Sequence, residues 1–271
     1  MDLTELKQNY VTVLRNKPNI NSEQTINSYW SCVKIFCSRY SRIYRITKQD
    51  LMGYMAFIRN EFSDSYYNVN GSALKILYDD LLKQPQKMSW FHPVKTKRRF
   101  YDIISWDEFV SMGKKCKNSK HKLILILLYS TGIRRSEMIN IRLTDIDWVN
   151  NRIFINSAKG CKNGYVQLHQ TTKKYMLKYL REWRPIEYLF NGQNSIKYSA
   201  ESVCNIISRV SNKKYSSHDF RRTYLTNLIE HENVFAAKDM ARHNCLNSTL
   251  HYYHIPAERM NKMYNPLDVA V

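Results

Sequence analysis

Four short segments in the second half of the chain concentrate side chains suited to work on a phosphodiester: TGIRRSE (131–137), SAKG (157–160), HDFRRTYLT (218–226) and ARHNCLNSTLHYYH (241–254). They offer arginines, a lysine, histidines and tyrosines, with no Ser/His/Asp arrangement and no carboxylate pair. Cationic donors clamp the non-bridging oxygens of a phosphate as charge builds in the transition state, and a tyrosine hydroxyl can then be the nucleophile. Taken singly, none of these residues is diagnostic. An arginine at a helix start, such as Arg134, is ordinarily a solvated charge. His218 and Arg221, three apart on one helix face, make an ordinary pair. Lys159 sits in a turn, where a lysine usually only solubilises, and Tyr252 is one of 20 tyrosines. Their joint order and spacing carry the information.

Such groups need a framework, and the hydrophobic pattern predicts one that is mainly α with a small antiparallel β-sheet, in two domains. In the first third, Ile26, Trp30, Val33, Cys37 and Tyr40, then Leu51, Met55, Ile58 and Phe62, recur at helical spacing. Thr47 with Asp50 forms a capping box for the second of these helices, and Pro85 stops a third that carries Leu74, Leu77, Tyr78, Leu81 and Leu82. An all-helical domain is therefore expected over 1–88. A basic linker follows over 89–104, with two prolines in QPQKMSWFHPVKTKRRF and the cluster Lys95, Lys97, Arg98 and Arg99. The second domain, 105–271, opens on a helix capped by Ser105 and Glu108. An apolar helix then carries LILILLY and ends at Gly132. Over 152–168 the period changes to that of strands, RIFIN and YVQLH, joined by SAKGCKNG with an Asn163-Gly164 turn signal. From Thr171 the pattern is helical again, broken at Pro185, with helices expected over 200–211, 218–230, 235–242 and 247–254.

The charge balance indicates the partner. The 271 residues carry 42 Lys+Arg against 23 Asp+Glu, a formal net charge of +19. The excess runs through both halves and is densest over 91–120, where eight basic side chains face three acidic ones. A chain that wraps a duplex spreads its cations in this way, whereas a membrane-surface protein gathers them on one amphipathic helix. Double-stranded DNA is the expected partner. No secretory signal or apolar run long enough to span a bilayer is evident, so no membrane association and an intracellular setting are expected. Six scattered cysteines without a CxxC pair suggest reduced thiols. His243, Cys245, His251 and His254 crowd together but fit no zinc-finger spacing, so no metal is expected.

The series T-G-I-R-x-S-E, strand-turn Lys-Gly, H-x-F-R-R-T, and a histidine followed nine residues later by tyrosine resembles the tyrosine recombinase (phage integrase) family over roughly 105–265. The helical first domain and basic linker match the family's DNA-gripping arm in layout. The resemblance implies that Arg134 and Arg221 bind the scissile phosphate and that Lys159 protonates the leaving 5′ oxygen. It further implies that His218 is the general acid/base, that His243 hydrogen-bonds the phosphate and that Tyr252 is the nucleophile, with Glu137 supporting the site. The product is a 3′-phosphotyrosine that keeps the energy of the broken bond, so neither cofactor nor metal is chemically required. Lys95, Lys97, Arg98 and Arg99 are expected to follow the phosphate backbone. Self-association on DNA, as a tetramer in the synaptic complex, is implied, in the cytoplasm or nucleoid, or the nucleus of a eukaryotic source.

Three departures from the family pattern stand out. Ala241-Arg242 replaces the usual Leu-Gly before His243, which puts the tight helix junction in doubt. Phe220 replaces a common leucine, and Tyr253 adjoins Tyr252, although residues adjacent on a helix point about 100° apart and only one can face the phosphate. The register from His243 selects Tyr252. Two alternatives use the same residues: a type IB topoisomerase, which reseals the strand it cut, and a DNA-binding regulator with a decayed site.

Overall fold

Hydroxyls and carboxylates placed just ahead of apolar-periodic runs open most of the helices. In the computed structural model, which describes residues 2–20, 22–96, 103–156, 162–193, 195–250 and 252, both expected capping boxes form. Thr47 and Asp50 exchange hydrogen bonds, as do Ser105 and Glu108.

The chain divides into two units, Met1–Arg99 and Phe100–Val271. The first contains α1 (Leu3–Arg15), α2 (Glu23–Arg39), α3 (Lys48–Glu61) and α4 (Asp64–Ile76). Its core is aromatic. Phe36 meets the rings of Tyr40, Tyr54 and Tyr78. The phenols of Tyr10 and Tyr78 donate to the carbonyl oxygens of Ala73 and Ile43 at 2.8 and 2.9 Å, so these buried hydroxyls are satisfied. Beyond Ile76 the helix widens into a π turn over Leu77–Leu81, where the Leu82 N–H reaches back five residues to Leu77. A left-handed Lys83 then closes it ahead of Pro85. The segment after residue 88 does not leave this unit at once. Met88 and Phe91 are buried in its core, Trp90 and Val94 pack on it, and Asn68 brackets the backbone of Val94 with two hydrogen bonds. Gly71 makes room, since a Cβ there would fall 2.0 Å from the Phe91 ring.

The second unit is built around α6 (Ser119–Thr131), whose LILILLY run is buried except at the partly covered Ile126 and Tyr129, because other helices surround it. Around it stand α5 (Trp106–Lys115), α8 (Gln170–Trp183), α9 (Ala200–Val210) and α10 (Ser217–His231). The four-residue α7 (Arg135–Met138) follows α6, and α11 (Val234–Ala241) and α12 (Asn247–Leu250) follow α10. Strands β1 (Ile146–Asp147), β2 (Arg152–Ile155) and β3 (Gly164–Gln167) form an antiparallel sheet in that order, with Ile153 opposite Val166. Strand β1 is not anticipated by the sequence pattern, being too short for alternation to register. EYLF, read as a short apolar stretch, makes an isolated antiparallel bridge from Tyr188 to Arg142, with Leu189 N–H donating to Ile141 O at 2.8 Å and Leu143 N–H to Glu187 O at 2.9 Å. Phe220 is fully buried and meets Tyr129 edge-on, and Tyr129 stacks on Phe109. The larger ring in place of leucine is thereby accommodated. Among the described residues, no helix is long and apolar enough to cross a membrane.

Candidate active site

Helix α6 terminates where Gly132 adopts φ +58°, a conformation that costs glycine little and turns the chain sharply. The turn leaves the Gly132 carbonyl pointing at α10 and places Arg134 at the cap of α7. The Arg134 N–H donates to Glu137 Oε2 at 2.8 Å and its Nη1 to Oε1 at 2.9 Å. Glu137 is almost fully buried and Arg134 partly so.

On α10, started by the capping box of Ser216 and Asp219, Arg221 points inward and is 4% exposed. Its Nη1 donates to Gly132 O at 2.7 Å and its Nη2 to Ala241 O at 2.8 Å, with His243 Nε2 at 3.2 Å. A guanidinium accepts no hydrogen bond, so Nε2 must be the acceptor. The ring proton then lies on Nδ1 and is donated to Thr249 Oγ1, 2.9 Å away. Burial first, and then Arg221, Arg134 and Arg242, push His243 down to about 4, so the ring is neutral at physiological pH. Burial and then Arg134 likewise lower Arg221 to about 10, which leaves it charged.

Tyr252 lies half-buried against Leu225, Ile229, Ala237 and Ala241. Its ring is nearly parallel to that of His243, with centroids 6.3 Å apart and planes at 17°. His218, on the same helix as Arg221, is exposed, yet the protein around it and then Arg135, Arg221 and Arg222 lower its pKa. It therefore favours the neutral form, able to take a proton.

Thus two groups of contacts stand at the site, Arg134–Glu137–Arg242 and Arg221–His243–Tyr252, with His218 on the helix that carries Arg221. Lys159, Lys97, Arg98 and Arg99, and also Tyr253, His251 and His254, lie outside the described residues. Lys95 is exposed, one residue past Val94. Among the described residues, no three His, Cys, Asp or Glu side chains are grouped to hold a metal ion.

The junction put in doubt by Ala241-Arg242 is intact. Ala241 is fully buried, and Arg242 closes α11 at φ +57°, in the left-handed region where glycine usually serves. Its Nη2 donates to Glu137 Oε2 at 2.6 Å in an ion pair buried on both sides. Sequence reasoning marked Arg242 only as a departure, and it passed over Thr249, since a threonine six residues after a histidine carries no signal of its own. Two guanidinium groups, of Arg134 and Arg242, hydrogen-bond the one carboxylate of Glu137, and that of Arg221 lies within its electrostatic reach. An excess of positive charge held in a partly dry site is suited to an anion.

The sequence profile of the phage integrase family matches residues 104–259, more than half of the chain. The chain belongs to the phage integrase family. Tyrosine recombinase XerD of Oceanobacillus iheyensis is 24% identical over 244 residues, covering 81% of this chain and 82% of that protein. Tyrosine recombinase XerC of Staphylococcus haemolyticus is 26% identical over 213 residues, 71% of each. Among solved structures, a lambda integrase dimer bound to a COC′ core site superimposes with a TM-score of 0.76 at 14% identity, covering 98% of this chain and 79% of that one. These likenesses place this phage integrase family member with the tyrosine site-specific recombinases rather than with a type IB topoisomerase or a decayed regulator.

Proposed function

We propose that the chain cleaves and rejoins double-stranded DNA through a covalent bond between Tyr252 and the 3′ phosphate, exchanging strands between two duplexes. The observation that carries this reading is the pair of contact groups, from Arg134 through Glu137 to Arg242 on one side, and from Arg221 through His243 to the Tyr252 ring on the other. Arg134 and Arg221 hold the non-bridging oxygens, and their charge offsets what builds up at phosphorus. The Tyr252 oxygen attacks phosphorus and its proton passes to His218, while the bond to the 5′ oxygen breaks and Lys159 protonates that oxygen. When a phosphate oxygen takes over the Nη2 of Arg221, His243 Nε2 is freed from accepting, and the neutral ring can donate to the phosphate by carrying its one proton on Nε2 while the Thr249 hydroxyl donates to Nδ1. A 5′ hydroxyl from the second duplex reverses the steps, so the bond energy is conserved.

Residues 1–88 serve as a DNA-gripping arm, 89–104 as the basic connection and 105–271 as the catalytic domain. Lys95, Lys97, Arg98 and Arg99 contact the backbone without reading sequence. Four protomers assemble in the synaptic complex, in the compartment that holds the DNA, as suits a mobile element.

The test uses nicked duplexes made from DNA flanking the protein's own gene, on which a cleaved strand diffuses away and leaves protein covalently trapped. Wild type and Y253F are expected to trap DNA, and Y252F to trap none. Trapping by Y252F would overturn the assignment.

A further inference from the structure

A non-glycine residue in the left-handed region costs roughly 1–2 kcal/mol and persists where its surroundings compensate. Arg242 is such a residue, with φ +57°, and it is 3% exposed. Its stem runs over the start of β3, where a Cβ on Gly164 would stand 3.2 Å from Arg242 Cδ and 3.4 Å from Cγ. The smallest residue thus occupies the place where the arginine crosses the sheet. Beyond that crossing, Nη1 donates to Met240 O at 3.2 Å and Nη2 to Glu137 at 2.6 Å. The same Glu137 oxygen accepts the Arg134 N–H, and the other accepts Arg134 Nη1. A buried ion pair needs its remaining valences met; both Glu137 oxygens and both Arg242 Nη atoms are engaged, while Arg242 Nε is buried with no hydrogen-bond partner among the described residues.

We propose that Arg242 is a positioning residue for phosphoryl transfer, fixing Glu137 and through it Arg134, while its stem clips α11 to the β2–β3 hairpin. This rests on the reading of Arg134 and Tyr252 given above. Arg242 is buried and turned toward Glu137, so it acts through that carboxylate and does not touch DNA. Helix α7 has only four residues and little stability of its own. An external hold on Glu137 therefore decides where the Arg134 guanidinium stands. Arg242 also shares the negative charge of Glu137, leaving Arg134 more of its own charge for the phosphate. Glu137 faces Arg134 on its own element, Arg221 on α10, and Arg242 and His243 after α11. Burial pushes its carboxyl up, but Arg242 and then Arg134 outweigh burial and hold it down.

The test is single-turnover covalent trapping on the nicked duplex across pH, together with thermal unfolding and DNA affinity. R242G and R242N both suit a left-handed backbone, so they remove the ion pair and keep the turn. Each is expected to slow trapping on the order of tenfold or more with DNA affinity unchanged. Each is also expected to shift the acidic loss of trapping to higher pH, because Glu137 loses its strongest cationic partner. R242K, which keeps the charge, is expected to stay within about threefold of wild type. On an E137Q background R242N should add little. Wild-type trapping rates in R242G and R242N, or an undiminished R242N effect on the E137Q background, would overturn the proposal. Y252F is the control: trapping there discredits the underlying assignment, whereas no trapping in Y252F with full-rate R242N discredits Arg242 alone.

Discussion

Arg221 donates to two carbonyl oxygens, those of Gly132 and Ala241, and to a ring nitrogen of His243. One side chain therefore ties the end of α6, the end of α11 and the second histidine together, and with burial, the larger cause, it keeps His243 neutral with its proton on Nδ1. The sign of the resulting pH dependence follows. The unfolded chain protonates this histidine as pH falls through about 6.5, whereas the folded protein refuses the proton until about pH 4. Its contribution is complete above pH 6.5 and is lost between 6.5 and 4, at up to about 1.4 kcal/mol per pH unit. Urea unfolding of H243Q should show a flatter stability profile in that window than wild type. An equal slope in the two proteins would mean that the ring is not held neutral.

The α6–α7 turn is the element on which the site's geometry depends most. A Cβ at Gly132 would strain a backbone at φ +58° and fall 2.4 Å from the Tyr224 ring. Gly132→Ala combines left-handed strain with overpacking, and a loss of about 2–4 kcal/mol in thermal or urea unfolding is expected. Because the Gly132 carbonyl is one of the acceptors that aim Arg221, covalent trapping should fall even at temperatures where the variant remains folded. A folded variant that traps at the wild-type rate would separate this turn from the chemistry. The junction after α11 works by a different solution to the same problem. There the left-handed position is held by Arg242, and a buried carboxylate compensates for the absence of glycine.

Across the whole molecule the proposed function divides the net charge of +19 into cations assigned to one phosphate and a larger group assigned to grip the duplex. Affinity for a duplex should fall steeply and linearly in log–log form with salt. Neutralising Lys95, Lys97, Arg98 and Arg99 together should weaken binding to all sequences alike and flatten the salt dependence by up to about four units of slope, as gel-shift titrations would record. Binding left intact, with cleavage alone lost, would assign those residues to the site instead.

The order and spacing of the motifs, through the family resemblance, named Arg134, Glu137, Arg221, His243 and Tyr252 as candidates, and the fold pairs Arg134 with Glu137 and Arg221 with His243, whose ring lies beside that of Tyr252. The helical framework was legible too. Capping boxes at Thr47 and Ser105 and the apolar run of α6 are local signals that tertiary packing did not override. Strand β1, the pairing of 141–143 with 187–189 and the packing of Trp90, Phe91 and Val94 on the first unit were not legible. Each depends on a partner distant in sequence or on too few residues to show a period. Arg242 shows the same divide most clearly. In sequence it stood only as a departure from glycine, and what it compensates for became visible once the fold brought it 2.6 Å from a carboxylate 105 residues away.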